Sequence, residues 1–285
     1  MVLSREEPTM TLDQQAKAAR FIDLHKRDGG FVIPNPWDVG SARILEALGF
    51  EALATTSAGL AFSLGLTDGN VTMQQALEHC AALVSATSLP VSADLEKGFG
   101  DSPESVAETI TAAAESGLVG CSIEDFCGDP KAPIYDFNLA VDRIAAAVET
   151  ARSLPHDFVL TARSENYLRG NPDLDDTIKR LQAFEAAGAD VLYAPGLPTL
   201  EDIRTLCASL TRPVNVVVGA PKAPYGVAEL AEAGVTRISV GATFARLAYG
   251  EFIRAAQEIA GPGTLGFTDR AMGSAELSGY LKEPD

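Results

Sequence analysis

Glu185-Ala186-Ala187-Gly188-Ala189-Asp190-Val191-Leu192-Tyr193-Ala194-Pro195 decides the architecture. An Ala-rich helical run ends at a glycine and passes, within two residues, into an apolar run too short to be a helix. The same ending recurs as Glu46-Ala47-Leu48-Gly49-Phe50 and Glu232-Ala233-Gly234-Val235, and Gly117 stops another helix in the same way. Outward from these endings, eight β-branched or apolar runs read as strands: 31–34, 52–57, 91–95, 121–125, 158–163, 191–195, 214–218 and 237–241. Helical patterns begin between them near Trp37, Thr72, Ser102, Phe137, Leu174, Leu200 and Tyr225, and an eighth helix spans 242–260. Strand and helix alternate throughout, which predicts repeated βα units around a parallel sheet. Eight such units predict an α/β fold of the (β/α)8 barrel type, typically about 250 residues. The remaining length accommodates a leading helix over 12–26 and a tail after Gly261. An open doubly wound sheet is the rival, but no Gly-rich phosphate loop follows the first run. The expectation is one domain over 1–285.

Composition narrows the function. Over 285 residues, 22 Lys and Arg against 39 Asp and Glu give a formal charge of −17. Such a surface repels phosphate backbones and anionic lipid, which argues against nucleic-acid and membrane partners. With 46% hydrophobic and 21% charged residues, the chain has enough apolar mass for a packed core and is not of the disordered class. No apolar run reaches membrane-spanning length, and Arg5, Glu6, Glu7 and Pro8 do not form a signal segment, so a cytoplasmic location is expected. Cys80, Cys121, Cys127 and Cys207 are too scattered for a disulfide framework or a zinc knuckle.

In this fold, chemistry lies at the carboxyl ends of the strands. The polar residues expected there are Thr55, Thr56 and Ser57 after strand two, Asp94 and Glu96 after strand three, Glu124 and Asp125 after strand four, and Arg163, Ser164 and Glu165 after strand five. Asp68 falls in the connection that follows strand two. Asp94 and Glu96, two apart on an extended segment, would share a face and converge with Glu124. Carboxylates so gathered repel one another, and a hard divalent cation holds them ionised; oxygen-only ligands favour magnesium or manganese over zinc. Helix capping and salt bridging at the rim account for the same acids. Arg163 suits bidentate capture of a substrate carboxylate or phosphonate, or an ion pair with Glu124 or Glu165. Ser57-Ala58-Gly59 would present amides to an anion, or simply make a tight turn. Trp37 and Asp38 would wall the pocket or start a helix, with helix starting favoured for Asp38. His25, His79 and His156 fall away from the strand ends, which leaves a Ser-His-Asp triad or a His-ligated zinc without a reagent. The loop from Asp125 to Asp136 would close over substrate and bring in Lys131 or Cys127 as acid or base; a passive crossover explains it equally.

These motifs together resemble the isocitrate lyase and phosphoenolpyruvate mutase superfamily. The resemblance rests on Asn35-Pro36-Trp37-Asp38, Thr56-Ser57-Ala58-Gly59, Leu64-Gly65-Leu66-Thr67-Asp68-Gly69, Ala93-Asp94-Leu95-Glu96-Lys97-Gly98-Phe99-Gly100, Ser122-Ile123-Glu124-Asp125 and Thr161-Ala162-Arg163-Ser164-Glu165, and runs to about Gly241. It implies a magnesium ion bound directly by Asp94, with Asp68, Glu96 and Glu124 holding its water ligands, and a small α-oxy carboxylate held by Ser57-Ala58-Gly59 and Arg163. It further implies carbon-carbon cleavage of an oxaloacetate-like acid through a metal-bound enolate. A homotetramer is implied too, in which the helix after strand eight is exchanged, so that 242–285 packs on a neighbouring subunit. Phosphorus-carbon cleavage of a phosphonopyruvate-type substrate is the alternative, and a catalytically silent oxo-acid-binding barrel a third reading. The lyases' Lys-Arg-Cys-Gly-His loop is absent here, replaced by Phe126-Cys127-Gly128-Asp129-Pro130-Lys131-Ala132-Pro133. The phosphonopyruvate enzymes' Lys-Thr-Asn-like loop is poorly matched by Lys131. Their histidine near strand six is replaced by Ala194-Pro195-Gly196.

Overall fold

The helix-glycine-strand repeats build one sheet of eight parallel strands wrapped into a nearly closed barrel. The computed structural model describes residues 12–219 and 225–282. Residues 1–11, read above for a signal segment, lie outside the described residues. The strands are β1 (Phe31–Ile33), β2 (Leu53–Ala54), β3 (Val91–Asp94), β4 (Gly120–Glu124), β5 (Val159–Arg163), β6 (Val191–Tyr193), β7 (Val214–Val217) and β8 (Arg237–Ser239). They pair in the order β1-β8-β7-β6-β5-β4-β3-β2. The ladder stops between β1 and β2, where the Ala54 N–H donates to the Pro34 carbonyl at 3.0 Å. Buried Asn35 completes the closure. Its Nδ2 donates to the Thr55 carbonyl at 2.9 Å, and its Oδ1 accepts from the N–H groups of Val240 and Gly241 at 2.8 Å each.

Around the barrel lie α2 (Val39–Ala47), α3 (Ser57–Ser63), α4 (Met73–Ala86), α5 (Pro103–Glu115), α6 (Phe137–Ser153), α7 (Leu174–Ala186), α8 (Leu200–Ala208), α9 (Val227–Glu232) and α10 (Thr243–Ala260). Side-chain caps start many of them, because Ser, Thr and Asp satisfy first-turn amides. Asp38 caps α2 through Ser41 N–H at 2.7 Å, and Ser102 caps α5 with Pro103 in the first turn. The recurring glycines end helices for a steric reason. Gly188 has φ +104°, and a Cβ there would meet Val148 Cγ1 at 2.9 Å; Gly117 is in the same position against Val84 at 2.8 Å. Gly117 and Gly188 therefore serve both to turn out of a helix and to let the preceding unit's helix pack close, whereas Gly49, at φ +86° with open space around it, serves the turn alone.

Seven of the eight strands are one to four residues shorter than the apolar runs predict, because chain past the last inward residue turns away to build the mouth; β4 keeps five residues, shifted by one. The segment expected as a strand end at Ser57 is instead the start of α3, capped by Thr56. The tail after Gly261 forms a short 3-10 turn (Gly266–Arg270) and α11 (Ser274–Tyr280). It is tied back to this chain by Arg43 Nη1, which donates to the Leu281 carbonyl at 3.2 Å, and by Arg270 paired with Glu251 at 2.7 Å. No helix among the described residues is long and apolar enough to cross a membrane, and the four cysteines are free.

The leading helix α1 (Leu12–Lys26) plugs the amino-terminal end of the barrel with Phe21, which packs in one cluster with Phe31, Ile33, Val119, Val159 and Val191. His25 lies beside this plug, edge-on to Phe21 and Phe31. Its Nδ1 is 2.7 Å from the Phe21 carbonyl, and its Nε2 is 3.5 Å from Arg237 Nη1. Arginine has only donors, so Nε2 accepts and Nδ1 carries the proton, which makes the ring neutral. Burial, then the Arg237 charge, push its pKa down to about 3. Between pH 3 and 6.5 the unfolded chain therefore binds a proton that the folded chain refuses, and stability falls as pH falls through that window. His25→Gln should remove a slope of up to about 1.4 kcal/mol per pH unit from the acid side of the stability profile. Urea unfolding of both proteins at pH 7, 6 and 5 checks this, with parallel profiles as the contrary result.

Candidate active site

The register of the ladders fixes which side chains enter the barrel. Glu124 pairs with Arg163, Arg163 with Tyr193, Tyr193 with Asn215, and Asn215 with Arg237, while Asp94 pairs with Ser122 and Val217 with Ser239. Strand neighbours in register point to the same face. Asp94, Ser122, Arg163, Tyr193, Asn215, Arg237 and Ser239 accordingly line one cavity of about 190 Å³, whose mouth is made by Ser57, Ala58 and Asp68.

Arg163 is the hub. Its Nε lies 2.6 Å from Glu165 Oε1 and 3.3 Å from Glu124 Oε2, its Nη1 lies 3.8 Å from Asp94 Oδ1, and its guanidinium sits 5.0 Å from the centre of the Tyr193 ring. Burial opposes the charge of Arg163, but Glu124, Glu165, Tyr193 and Asp94 outweigh it and raise its pKa. Glu165 is 0% exposed, and its second oxygen accepts from Arg169 Nε at 2.9 Å. Arg169, on the 3-10 turn Asn166–Arg169, stacks 3.5 Å over the Phe126 ring and approaches Glu124 at 3.9 Å. Behind this layer the Asp125 carboxylate accepts from the Glu165 N–H at 2.8 Å and pairs with Arg180 at 3.4 Å; burial raises its pKa to about 6.

The carboxylates predicted for a cation are distributed differently from the sequence expectation. Asp94 ends β3, and its Oδ2 accepts from Ser57 Oγ at 3.0 Å. Glu96 is not on an extended strand: it has φ +51°, an unusual conformation for a side chain with a Cβ, and the chain turns there. Asp94 and Glu96 therefore do not share a strand face, although both line a smaller void together with Thr55, Ser57, His79 and Phe99. Electrostatically the acids remain one group. Burial, then Asp94 and Asp68, raise Glu96 to about 7; shielding at the mouth, then Asp94, raise Asp68. Glu124 is raised by burial in spite of Arg163. Among the described residues no three His, Cys, Asp or Glu side chains form a ready-made ligand set. The donors available are nonetheless all carboxylate oxygens with mutual repulsion to relieve, and this chemistry fits a hard divalent cation bound partly through water.

The remaining candidates separate cleanly. Ser57 and Ala58 face the cavity at the first turn of α3, where amides have no intrahelical partner. Gly59 does not line the cavity: a Cβ there would meet Thr56 Cγ2 at 2.5 Å and Trp37 Cβ at 2.8 Å. Trp37 likewise supports rather than walls the pocket, accepting from His79 Nε2 at its carbonyl at 3.0 Å. Lys131 is exposed on its loop, where its N–H donates to Asp129 at 2.8 Å, and it does not line the cavity. Cys127 is spent on the loop itself, its Sγ donating to the Ala132 carbonyl at 2.9 Å. The sequence reading missed Arg169, Tyr193, Asn215, Arg237 and Ser239. Asn215 and Arg237, each a polar residue inside an apolar run, carried the signal that would have found them.

Comparisons with known proteins converge on one family. Residues 21–260 match the family model described as phosphoenolpyruvate phosphomutase. A crystal structure from Burkholderia cenocepacia J2315, described as a lyase/mutase, is 53% identical, covers 96% of this chain and 99% of its own, and superposes with a TM-score of 0.94. A protein of Corynebacterium glutamicum described as a 2-methylisocitrate lyase is 30% identical over 81% of this chain and 76% of its own. The structure of an oxaloacetate acetylhydrolase in complex with oxalate is 26% identical, with 94% of both chains covered and a TM-score of 0.82.

The fit of Gly59 between Thr56 and Trp37 is testable. Gly59→Ala should lower unfolding free energy by about 1–3 kcal/mol, the usual cost of overpacking, as read by urea denaturation. An unchanged midpoint would show that the α3 start yields easily.

Proposed function

This chain belongs to the phosphoenolpyruvate phosphomutase family, within the isocitrate lyase superfamily, and we propose that it cleaves a carbon-carbon bond of a small 2-oxo or 2-hydroxy carboxylate, oxaloacetate-like in size, with magnesium. The observation that carries this reading is the meeting, at one cavity wall, of the Arg163 guanidinium and the Asp94 carboxylate, 3.8 Å apart, beside the first turn of α3, whose Ser57 N–H lies 3.4 Å from Asp94 Oδ2. A substrate carboxylate needs the cation and the amide donors; the acids need a counter-charge. Asp94, Asp68, Glu96 and Glu124 would hold the metal, which when bound supplies a Lewis acid for the oxygen on the substrate's second carbon.

The chain's own residues supply orientation and charge balance. Arg163, fixed by Glu165 and Glu124, aims its guanidinium into the cavity and orients the carboxylate. Arg169 shares Glu165 with it and keeps that acid's charge compensated. Ser57 Oγ–H donates to Asp94 and holds it toward the cavity. Preorganised donors of this kind each contribute roughly a hundred- to a thousandfold to rate when aimed at developing negative charge. Loss of carbon dioxide from an oxaloacetate-type acid, in which the C3–C4 bonding pair stays with C3 and is delocalised onto the C2 oxygen until a solvent proton returns to C3, needs no strong protein base, consistent with a site in which neither Lys131 nor Cys127 reaches the cavity. The relatives described as acting on 2-methylisocitrate and oxaloacetate support the substrate class.

Incubation with magnesium and oxaloacetate, 2-methylisocitrate-type acids or phosphonopyruvate, followed by carbon and phosphorus NMR, tests the reaction. Carbon-carbon products are expected. Products from phosphonopyruvate alone would replace this reading with phosphorus-carbon cleavage, and binding without turnover of any acid would indicate a silent barrel. Asp94→Ala should cut turnover by about a thousandfold or more while shifting stability by no more than about 1 kcal/mol, since it stands at the rim.

We also propose a homo-oligomer, assembled through the face of α10. Leu247, Phe252, Ile253 and Ile259 are 60%, 68%, 51% and 51% exposed on this helix, with Phe252 and Ile259 two turns apart on one side of it, and Leu265 and Met272 in the tail that follows are exposed as well. Apolar side chains so grouped mark an association surface. Light scattering should give a mass that is a multiple of 29.9 kDa, and Phe252→Asp should lower it. A monomeric wild-type protein would refute the assembly.

A further inference from the structure

The chain that leaves β3 is folded against its backbone preference and held there by buried donors. Leu95 to Gly98 make a tight turn, closed by the Gly98 N–H donating to the Leu95 carbonyl at 2.8 Å. Glu96, Gly98 and Phe99 have φ of +51°, +82° and +56°, a conformation that suits glycine but not the other two. Donors from three elements meet the carbonyls of this stretch. The Glu124 N–H reaches Glu96 at 3.0 Å, and Thr109 Oγ1 on α5 reaches Gly98 at 2.8 Å. Arg143 on α6 takes three more: its Nη2 donates to Lys97, and its Nη1 donates to Gly100 at 2.9 Å and lies 3.4 Å from the Ser102 carbonyl.

Arg143 is 1% exposed, and among the described residues it forms an ion pair with no carboxylate. Its guanidinium lies 4.4 Å over the centre of the Tyr135 ring, and all its hydrogen bonds go to this one stretch of backbone. Burial lowers its pKa. A buried charge without a counter-ion is costly, and an apolar side chain would fill the same space with less penalty. What the guanidinium adds is a rigid planar fork that can hold carbonyls three residues apart at once.

The backbone so held carries two of the carboxylates assigned to magnesium. The Glu96 N–H donates to Asp94 Oδ1 at 3.3 Å, and the Glu96 side chain lines one void with Asp94 and Ser57. The Glu96 carbonyl, through the Glu124 N–H, ties a third acid to the same turn. Magnesium demands near-ideal octahedral geometry, so its affinity is sensitive to where such oxygens stand. We propose that Arg143, together with Thr109, is a positioning residue for the cation: by fixing the backbone from Leu95 to Ser102 it keeps Asp94 and Glu96 in the arrangement that admits magnesium. The inference rests on the magnesium reading above and deepens it, naming remote groups that set the affinity of the site.

Calorimetric titration of the full chain with magnesium chloride, alongside urea unfolding, tests it. Arg143→Lys keeps the charge, but one ammonium cannot span the Lys97 and Gly100 carbonyls. It should weaken magnesium binding by roughly ten- to a hundredfold, the usual effect of removing an outer partner of a metal ligand. Ile144→Val, which trims the buried core beside Arg143 without removing a donor, controls for lost stability and should bind magnesium as wild type does. Wild-type affinity in Arg143→Lys, or an equal loss in Ile144→Val, overturns the assignment and leaves Arg143 a structural cation. Should circular dichroism show that Arg143→Lys does not fold, Thr109→Val is read in its place, where binding about tenfold weaker supports the assignment and unchanged binding overturns it. A wild-type chain that binds no magnesium overturns the metal reading itself, and the positioning role falls with it.

Discussion

One guanidinium organises the mouth of this barrel. Arg163 lies against carboxylates from three separate places, Asp94 at the end of β3, Glu124 at the end of β4 and Glu165 just past β5. Without it, buried Glu124 and Glu165 would face each other and Asp94 across a few ångströms of poorly solvated space. Breaking a buried pair of this kind typically costs about 3–5 kcal/mol, because the charge left behind has no solvent. The arrangement is thus a packing constraint as much as a functional one. The strand ends can converge only because a cation stands between them.

The surrounding polypeptide is built to keep that convergence rigid. Arg143, buried on α6, donates to the carbonyls of Lys97, Gly100 and Ser102 and stacks 4.4 Å over Tyr135, pinning the loop that leaves β3. Tyr135 in turn donates to Asp101 at 2.6 Å, and Lys97 reaches both Asp101 and the Cys127 carbonyl. The loops after β3 and β4 are held by one another. That mutual bracing sustains the left-handed backbone at Glu96 and Phe99, which isolated loops would relax. It also explains why Cys127 and the exposed Lys131 belong to the brace and its edge rather than to the cavity.

The fold was largely legible because its repeats are sterically dictated. Gly117, Gly188 and Gly234 end helices where a side chain would strike the neighbouring unit, so the motif recurs wherever the architecture does. Arg163 and Asp94 were legible because strand ends are identifiable by eye and face the mouth, and Asp68 because it falls in a polar connection leaving that end. Three things were hidden. The turn at Glu96 depends on long-range bonds, including the Glu124 N–H to the Glu96 carbonyl at 3.0 Å, so an extended reading of Asp94-Leu95-Glu96 was the natural error. α3 is only seven residues long and carries little periodicity, so from sequence its start reads as strand and turn. Gly59 sits in a motif that suits anion binding, whereas its smallness serves the contact with Trp37, which no local pattern reveals.

The distribution of charge along the barrel axis ties these features together. At the mouth, Asp68, Asp94, Glu96, Glu124 and Glu165 outnumber Arg163 and Arg169, and the excess is visible as Glu96 held near neutrality in pKa and Asp68 raised. A site in this state accepts positive charge, either as protons or as a divalent cation. One layer down the sign reverses, since Arg237 has only neutral company and beside it His25 is held unprotonated. A molecule entering this cavity passes from a region that favours a cation to one that favours an anion.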